Sequence, residues 1–422
     1  MIRVTHMKNK VIIAAIACLM LTACGNTSDN TDVTSSEESV SSVSEIKAET
    51  AAETTASEAE TTESVSETED AASDIAEMTA SVETFDLTGI ISNDFDGSVG
   101  ISDLKLMDNG TACIIIDTTR FNADDIEEKL VFAKVNVDDM SCIGSVEIPG
   151  KYYDRALFLS SGGTLAKIIT YDWVQLSEEE AYGPSYTLTT IYDDMSIETT
   201  ADYSNSDVYI SVGSHKIAAD NVNIIDADTG SVIVPGFQKD DDEYGFYTHS
   251  QRYAFTINDD AFVYDTFGYE SLPGFGVYDF KTGENRPVAD SKNLIPFGTD
   301  GVNIYSAASA WDGLPTAVYA TDTEDLGSSK LFDITDTVEE IGYIFFSMPP
   351  SADFLYGFDF YRFNSTEPAY IKKYDKTTGE VTAIAKVPEL NNNVYNSPVC
   401  FDSDNILYFK TYNGLMRVTI YD

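Results

Sequence analysis

Short apolar runs, rich in β-branched residues and bounded by Gly, Asn and Asp, recur from Phe85 to Asp422. Ala112-Cys113-Ile114-Ile115-Ile116, Lys167-Ile168-Ile169 and Asn223-Ile224-Ile225 are three of them. Branched side chains pack well on a pleated surface, so each run predicts a strand and the polar residues between runs predict turns. No helical stripe longer than about two turns breaks the series. The charged stretch Asp124–Lys129 reads as a loop or a single turn. The pattern is that of an all-β chain.

The strands fall into hairpins. One phrase is an apolar or aromatic strand ending in Asp, a tight turn, and a second strand. It begins at Val137-Asp138, Tyr192-Asp193, Ile225-Asp226, Tyr278-Asp279, Phe332-Asp333 and Tyr374-Asp375, and the sequence stops at Tyr421-Asp422. The Asp-to-Asp steps are 55, 33, 53, 54, 42 and 47 residues. Asp followed by Thr-Gly suits such a turn, because Asp bonds its own backbone and Gly accepts a positive φ. A second phrase lies upstream. Leu104–Ile116 and Leu157–Ile169 align on Gly110-Thr111 and Gly163-Thr164 at a step of 53. Two hairpins in a unit of roughly 48 residues make four strands, the blade of a β-propeller. The body from Phe85 holds about seven such units, the shortest near Asp226.

If Ile420-Tyr421-Asp422 is a third strand, its fourth must come from elsewhere. The segment Glu83–Ile91 is placed to supply it from the other end, which removes the exposed edges. The Tyr-Asp-x-x-Thr-Gly-Glu turn, as in Tyr374–Glu380, resembles that of WD40-like and quinoprotein-like propellers. The resemblance implies a β-propeller of about seven four-stranded blades over residues 85–422. Tandem β-sandwiches are the alternative that the same strands allow.

Composition changes sharply before the body. Residues 24–84 are mostly Ser, Thr, Glu and Ala, with sixteen acidic residues against the single Lys47 from Gly25 to Thr84. Such a segment cannot bury enough apolar surface to offset its ordering entropy, so it predicts a disordered, self-repelling tether. Before it, Arg3, Lys8 and Lys10 precede the apolar run Val11–Leu21, the layout of a secretory signal peptide over residues 1–23. Met7 serves as a start as well as Met1 does. Leu21-Thr22-Ala23-Cys24 resembles the lipobox of bacterial lipoproteins. That resemblance implies that Cys24 is diacylated on its sulfur, becomes the first mature residue, and holds the protein on the extracytoplasmic face of the cell membrane.

The formal net charge of −46 disfavours nucleic acid and anionic lipid surfaces as ligands. Cys113, Cys142 and Cys400 are the cysteines of the body. The strand-like settings of Cys113 and Cys142 suggest buried free thiols, and a Cys113–Cys142 disulfide is the alternative. His215 and His249 stand apart from any nucleophile signature. There is no Gly-x-Ser-x-Gly elbow, His-Glu-x-x-His or phosphate loop. Carboxylates are so abundant, 71 in all, that two near each other carry no information about glycosidase chemistry.

Two features remain as candidate sites. Asp94, Asp96, Gly97 and Asp103 match positions of an EF-hand-like calcium loop, although Ser92 opens it and a strand-like segment follows. Calcium is thus a weak cofactor candidate, and no other cofactor is implied. The aromatic clusters Asp242–Phe255, Phe262–Phe275 and Leu355–Phe363 are expected to place half of their rings between blades and half outward. Trp311, Tyr247 and Tyr269 are the candidate ligand-binding anchors. The expected function is recognition of a protein partner, a glycan or a small ligand without catalysis. A carboxylate-dependent glycoside hydrolase or lyase is the alternative.

Overall fold

The computed structural model describes residues 75–422, apart from 93–96, 122–125, 160–161, 176–181, 221, 242–244, 269–273, 290, 292, 309–314, 335–340, 362–366, 392, 395–396 and 412–413. The expected signal peptide, and the expected tether as far as residue 74, lie outside these residues. The chain opens with β1 (Ala76–Asp86), which belongs to the last blade. Blade 1 is β2 (Ser98–Met107), β3 (Thr111–Phe121), β4 (Ile126–Asn136) and β5 (Cys142–Ile148). Blade 2 is β6 (Tyr152–Phe158), β7 (Thr164–Gln175), β8 (Tyr182–Tyr192) and β9 (Ile197–Thr200). Blade 3 is β10 (Ile210–Val212), β11 (His215–Asp220), β12 (Asn223–Asp226) and β13 (Val232–Val234). In blade 4, β14 (Phe237–Asp241) is added to β15 (Gly245–Asn258), β16 (Ala261–Gly268), β17 (Gly274–Asp279) and β18 (Glu284–Pro287). Blade 5 is β19 (Leu294–Thr299), β20 (Asn303–Ala308), β21 (Ala317–Asp322) and β22 (Ser328–Asp333). Blade 6 is β23 (Ile341–Ser347), β24 (Phe354–Tyr361), β25 (Tyr370–Asp375) and β26 (Val381–Lys386). Blade 7 is β27 (Cys400–Ser403), β28 (Ile406–Thr411), β29 (Gly414–Tyr421) and β1. Within each blade the strands pair antiparallel in chain order, β1 being the one strand brought from the other end. This is a seven-bladed β-propeller.

The closure differs in extent from the sequence expectation. Thr79–Asp86 pairs antiparallel with Gly414–Tyr421, so the fourth strand of blade 7 does come from the start of the body. It begins at Ala76 rather than Glu83, inside the stretch expected to be tether, and a helical turn, Thr88–Ile91, replaces its expected continuation. Alternation is the reason. Met78, Ala80 and Val82 fall on one side of β1 and pack against Phe358, Leu407 and their neighbours in the core of blades 6 and 7. The residues between them carry the Ser/Thr/Glu composition of the tether. Ala76–Met78 also pairs parallel with Ala383–Ala385 of β26, which joins blades 6 and 7 into one eight-stranded sheet.

The Asp turns lie between third and fourth strands. Oδ1 of Asp226, Asp279 and Asp375 each accepts amide hydrogen bonds from the turn, from Thr229, from Lys281 and Thr282, and from Thr377 and Thr378. Blade 5 departs from the expected phase. Asp333 ends the fourth strand, and the turn is made by Asp322, whose Oδ1 accepts from the amides of Glu324 and Asp325. In blade 1 the same place is held by Asn136 rather than Asp138, with Oδ1 accepting from Asp138 N.

Both sides of each blade are covered by neighbours, so the described starts of the second and third aromatic clusters do not split into inward and outward halves, while most of the first cluster lies outside the residues whose burial is described. Leu355, Tyr356, Phe358, Asp359 and Phe360 of β24 are all buried, as are Phe262, Val263 and Tyr264 of β16. The charged stretch Asp124–Lys129 is not a loop from Ile126 on. Glu127 and Glu128 pair with Arg120 and Thr119 as the start of β4. All three body cysteines are free thiols; Cys113 is buried, but Cys142 is exposed on β5, next to the turn.

Candidate functional site

Alternating strand direction sorts the connections onto two faces. First-to-second and third-to-fourth turns emerge on one, the turn face. Second-to-third connections and links between blades emerge on the other, the loop face.

The turn face is bonded from blade to blade. Arg417 Nη1 donates to Val137 O at 2.9 Å and Nη2 to Asp138 O at 2.9 Å, while the same guanidinium holds Glu83 of β1. Tyr356 OH donates to Asp404 O at 3.0 Å, joining blades 6 and 7. Lys376 Nζ donates to Asp300 Oδ2 and Ala352 O, both at 2.8 Å, joining blades 6 and 5. Arg286 donates to the carbonyls of Thr323 and Glu324. His215 stacks on Phe280 with centroids 3.9 Å apart and lies 3.7 Å from Asp260, joining blades 3 and 4. These side chains are occupied in holding the ring.

The loop face is uneven at blade 3. There β11 has 6 residues and β12 has 4, while in blade 2 β7 has 12 and β8 has 11. At roughly 3.4 Å per residue, β7 runs about 20 Å further than β11. Both start at the turn face, so the excess stands above blade 3 at the loop face. On the other side, Gln251 N of β15 donates to Val222 O at the top of blade 3. Gly245–Ser250 and β14, paired as a hairpin, precede that level and rise beyond it. The short blade leaves a notch between two taller ones.

Blade 2 lines this notch with aromatic rings. Tyr152, Tyr171 and Tyr186 are in register across β6, β7 and β8, so they share one side of the sheet. Ile169 and Leu188 lie on that side too and pack against Val208, in the link to blade 3. Tyr171 stacks with Tyr152 at 5.2 Å, tilts against Tyr186 at 5.5 Å and meets Trp173 edge-on at 6.2 Å. Trp173 is 46 % exposed. Asp154 stands at a bulge in β6, with Arg155 Nη1 3.0 Å from its Oδ2. Burial pushes the Asp154 carboxyl above its ordinary range, and Arg155 opposes this. Tyr171, Tyr186 and Tyr203 are all raised, by burial first and then by charges that include Asp154. Tyr152, which donates to Glu128 Oε2 at 3.2 Å, is raised to about 12 by burial and that carboxylate.

The sequence candidates are placed as follows. Trp311 and Tyr269 lie outside the described residues. Tyr247 is in β15, paired with Lys239 of the hairpin beside the notch. Asp94 and Asp96 lie outside the described residues. Asp103 is in β2, where Oδ1 accepts from Leu104 N at 2.8 Å and Oδ2 from Tyr153 OH at 2.5 Å, a contact between blades 1 and 2. Among the described residues no group of three or more His, Cys, Asp or Glu is placed to hold a metal ion. Trp173 was not among the sequence candidates. The signal was there in Tyr171-x-Trp173, an alternation that outruns the apolar stretch of its strand, beside the shortest repeat.

A separate cleft of about 310 Å³ lies on the other flank of blade 1, under Ile90-Ile91-Ser92. Its charged lining is internally paired, with Lys129 Nζ 3.1 Å from Glu127 and 3.3 Å from Glu147.

No protein-family model matches the sequence, and no curated protein matches it. Among solved structures the chain is similar to TolB from Acinetobacter baumannii, at 12% identity and a TM-score of 0.33 over 73% of this chain and 79% of that one. It is similar to the β-propeller domain of the Trilobed protease from Pyrococcus furiosus, at 13% identity and 0.38 over 80% and 95%. Pyrococcus horikoshii acylaminoacyl peptidase matches at 9% identity and 0.40 over 74% of this chain and 49% of that one. The blade count rests on this chain's own strand pairing.

Proposed function

We propose that this protein is a lipid-anchored extracytoplasmic recognition protein. Cys24 carries the lipid, residues 25–75 form the acidic spacer, and the loop face of the propeller binds a ligand without transforming it. The observation that carries the recognition half is the division of labour between faces. Arg417, Tyr356, Lys376, Arg286 and His215 of the turn face are used in ties between blades, while blade 2 presents Trp173 and a group of tyrosines at the loop face. Tyr and Trp supply rigid amphipathic area at low entropy cost, which is what a binding surface needs.

The hydrolase alternative needs two carboxyl groups working on one bond. Asp154 and Asp265 are both pushed upward by burial. They stand on blades 2 and 4. Asp265 shares its side of β16 with Val263, which packs in the core facing blade 5, so the two look into different spaces between blades.

The anchor is tested by metabolic labelling with a fatty-acid probe in a bacterial host, comparing the full chain with Cys24→Ala. Label on the parent alone, with the variant released from membranes, is the expected result. An unlabelled parent would overturn the anchor.

A further inference from the structure

We infer that the notch above blade 3 is a binding site for a neutral carbohydrate, held against blade 2 by Trp173 and the tyrosine cluster. The inference rests on the recognition reading and names its ligand class. The notch is built by strand length, since β7 and β8 outrun β11 and β12 and the β14–β15 hairpin rises on the far side. Its lining has two chemical parts. One is aromatic: Tyr171 and Tyr186 half-buried, with Trp173 exposed at the rim and in edge contact with Tyr171. The other is the Asp154–Arg155 pair at 3.0 Å.

Charge selects among the ligands that aromatic surfaces take. A cation would be drawn to rings beside a carboxylate, but Arg155 already supplies the positive charge at Asp154, and its field reaches Tyr186 and Tyr203. An anion meets the Glu128 carboxylate bonded to Tyr152 and a chain of net charge −46. What remains is a neutral molecule with an apolar face for the rings and edge groups that both donate and accept. A sugar ring has that form. Its C–H face lies on indole or phenol, and its hydroxyls can donate to Asp154 and accept from Arg155 and from the phenols, which burial keeps protonated.

Intrinsic fluorescence of the full mature chain provides the test, because Trp173 and Trp311 are its two tryptophans. Trp311→Phe leaves Trp173 as the reporter. The probes are soluble neutral oligosaccharides of glucose, mannose, galactose and N-acetylglucosamine, with oligogalacturonate as the anionic and oligolysine as the cationic control. Saturable quenching by a neutral oligosaccharide in Trp311→Phe is expected. Calorimetry should show the affinity falling at least about tenfold in Trp173→Ala and in Arg155→Gln, both with parental circular dichroism. Saccharide binding untouched by Trp173→Ala would overturn the site while leaving recognition intact. Oligolysine binding abolished by Trp173→Ala would assign the notch to a basic peptide instead. Binding of no probe, with the chain still lipidated and still cross-linking to an envelope partner, would overturn the carbohydrate and spare the broader reading. Loss of the saccharide to shorter products would support the site but replace recognition with hydrolysis.

Discussion

A residue with positive φ closes the third-to-fourth turn in six blades. Gly230, Gly283 and Gly379 do so in three, and Met140, Met195 and Leu326 in the others. An L side chain in this conformation costs roughly 1–2 kcal/mol, and the exceptions offset it with apolar contact, Met140 being buried in the core between blades 7 and 1. The glycines are not equivalent. A Cβ at Gly230 would meet nothing, whereas one at Gly379 would collide with the Phe332 ring, itself stacked on Tyr374 at 5.0 Å. Gly230→Ala should therefore cost about 1 kcal/mol and Gly379→Ala about 3 kcal/mol in urea unfolding. Equal costs would show that Phe332 yields freely. Asp300 behaves differently again. Burial opposes its ionisation, but hydrogen bonds from Lys376, Tyr305 and the amides of Asn303 and Val302 hold it below the ordinary carboxylate range. A depressed pKa stabilises the fold above the unfolded value, near about 3.9, and that stability is lost as pH falls through the folded value. Asp300→Asn should cost about 2 kcal/mol at neutral pH and make acid unfolding shallower below roughly pH 4. Parallel acid-unfolding curves for parent and variant would contradict the assignment.

At the scale of elements, β1 is held by two kinds of pairing and one guanidinium. Arg417 of β29 contacts Glu83 of β1 and the carbonyls of Val137 and Asp138 in the blade 1 turn, so one side chain ties the closing strand, the last blade and the first. Arg417→Met should raise amide hydrogen exchange in 76–86 and 414–421 and leave β11 and β12 unchanged; protection lost everywhere would mean that Arg417 supports the whole ring rather than its closure. The elements also show what could be read in advance. Tyr374-Asp375 and Ile225-Asp226 marked their turns correctly, because the Asp side chain and the following glycine make a local structure that needs no tertiary help. Blade 5 was misphased because Leu326 stands where Gly marks the turns of blades 3, 4 and 6, which left Asp333 looking like the better match. The strand at Ala76–Thr84 was hidden by composition, its Met78-x-Ala80-x-Val82 alternation carrying too little apolar area until packed against Phe358 and Leu407. Trp173 could be found only by setting two signals side by side, the Tyr171-x-Trp173 alternation and the shortness of the next repeat, because its exposure depends on both blades.

For the molecule as a whole, the ring is completed by strands from its two ends, with Tyr421 opposite Thr79. A permuted chain that starts at Ser98 and carries Ala76–Ile91 after Asp422 through a short turn should fold, since no other pairing is disturbed. Its melting temperature should stay within a few degrees of the parent, a shift corresponding to about 1 kcal/mol or less. A large loss would mean that the link from Asp86 through the helical turn to β2 does more than connect.

The same closure has a consequence for the order in which the protein can be made. The first strand of the propeller to be synthesised finds its antiparallel partner in Gly414–Tyr421 and its parallel one in Ala383–Ala385, more than 300 residues later. Blades 1 to 5 can form as local meanders while the chain emerges, but Met78, Ala80 and Val82 have nowhere to bury until blades 6 and 7 exist. Closing so long a loop is slow relative to hairpin formation. During that interval the ring stays open at one seam, with an unpaired edge on blade 7.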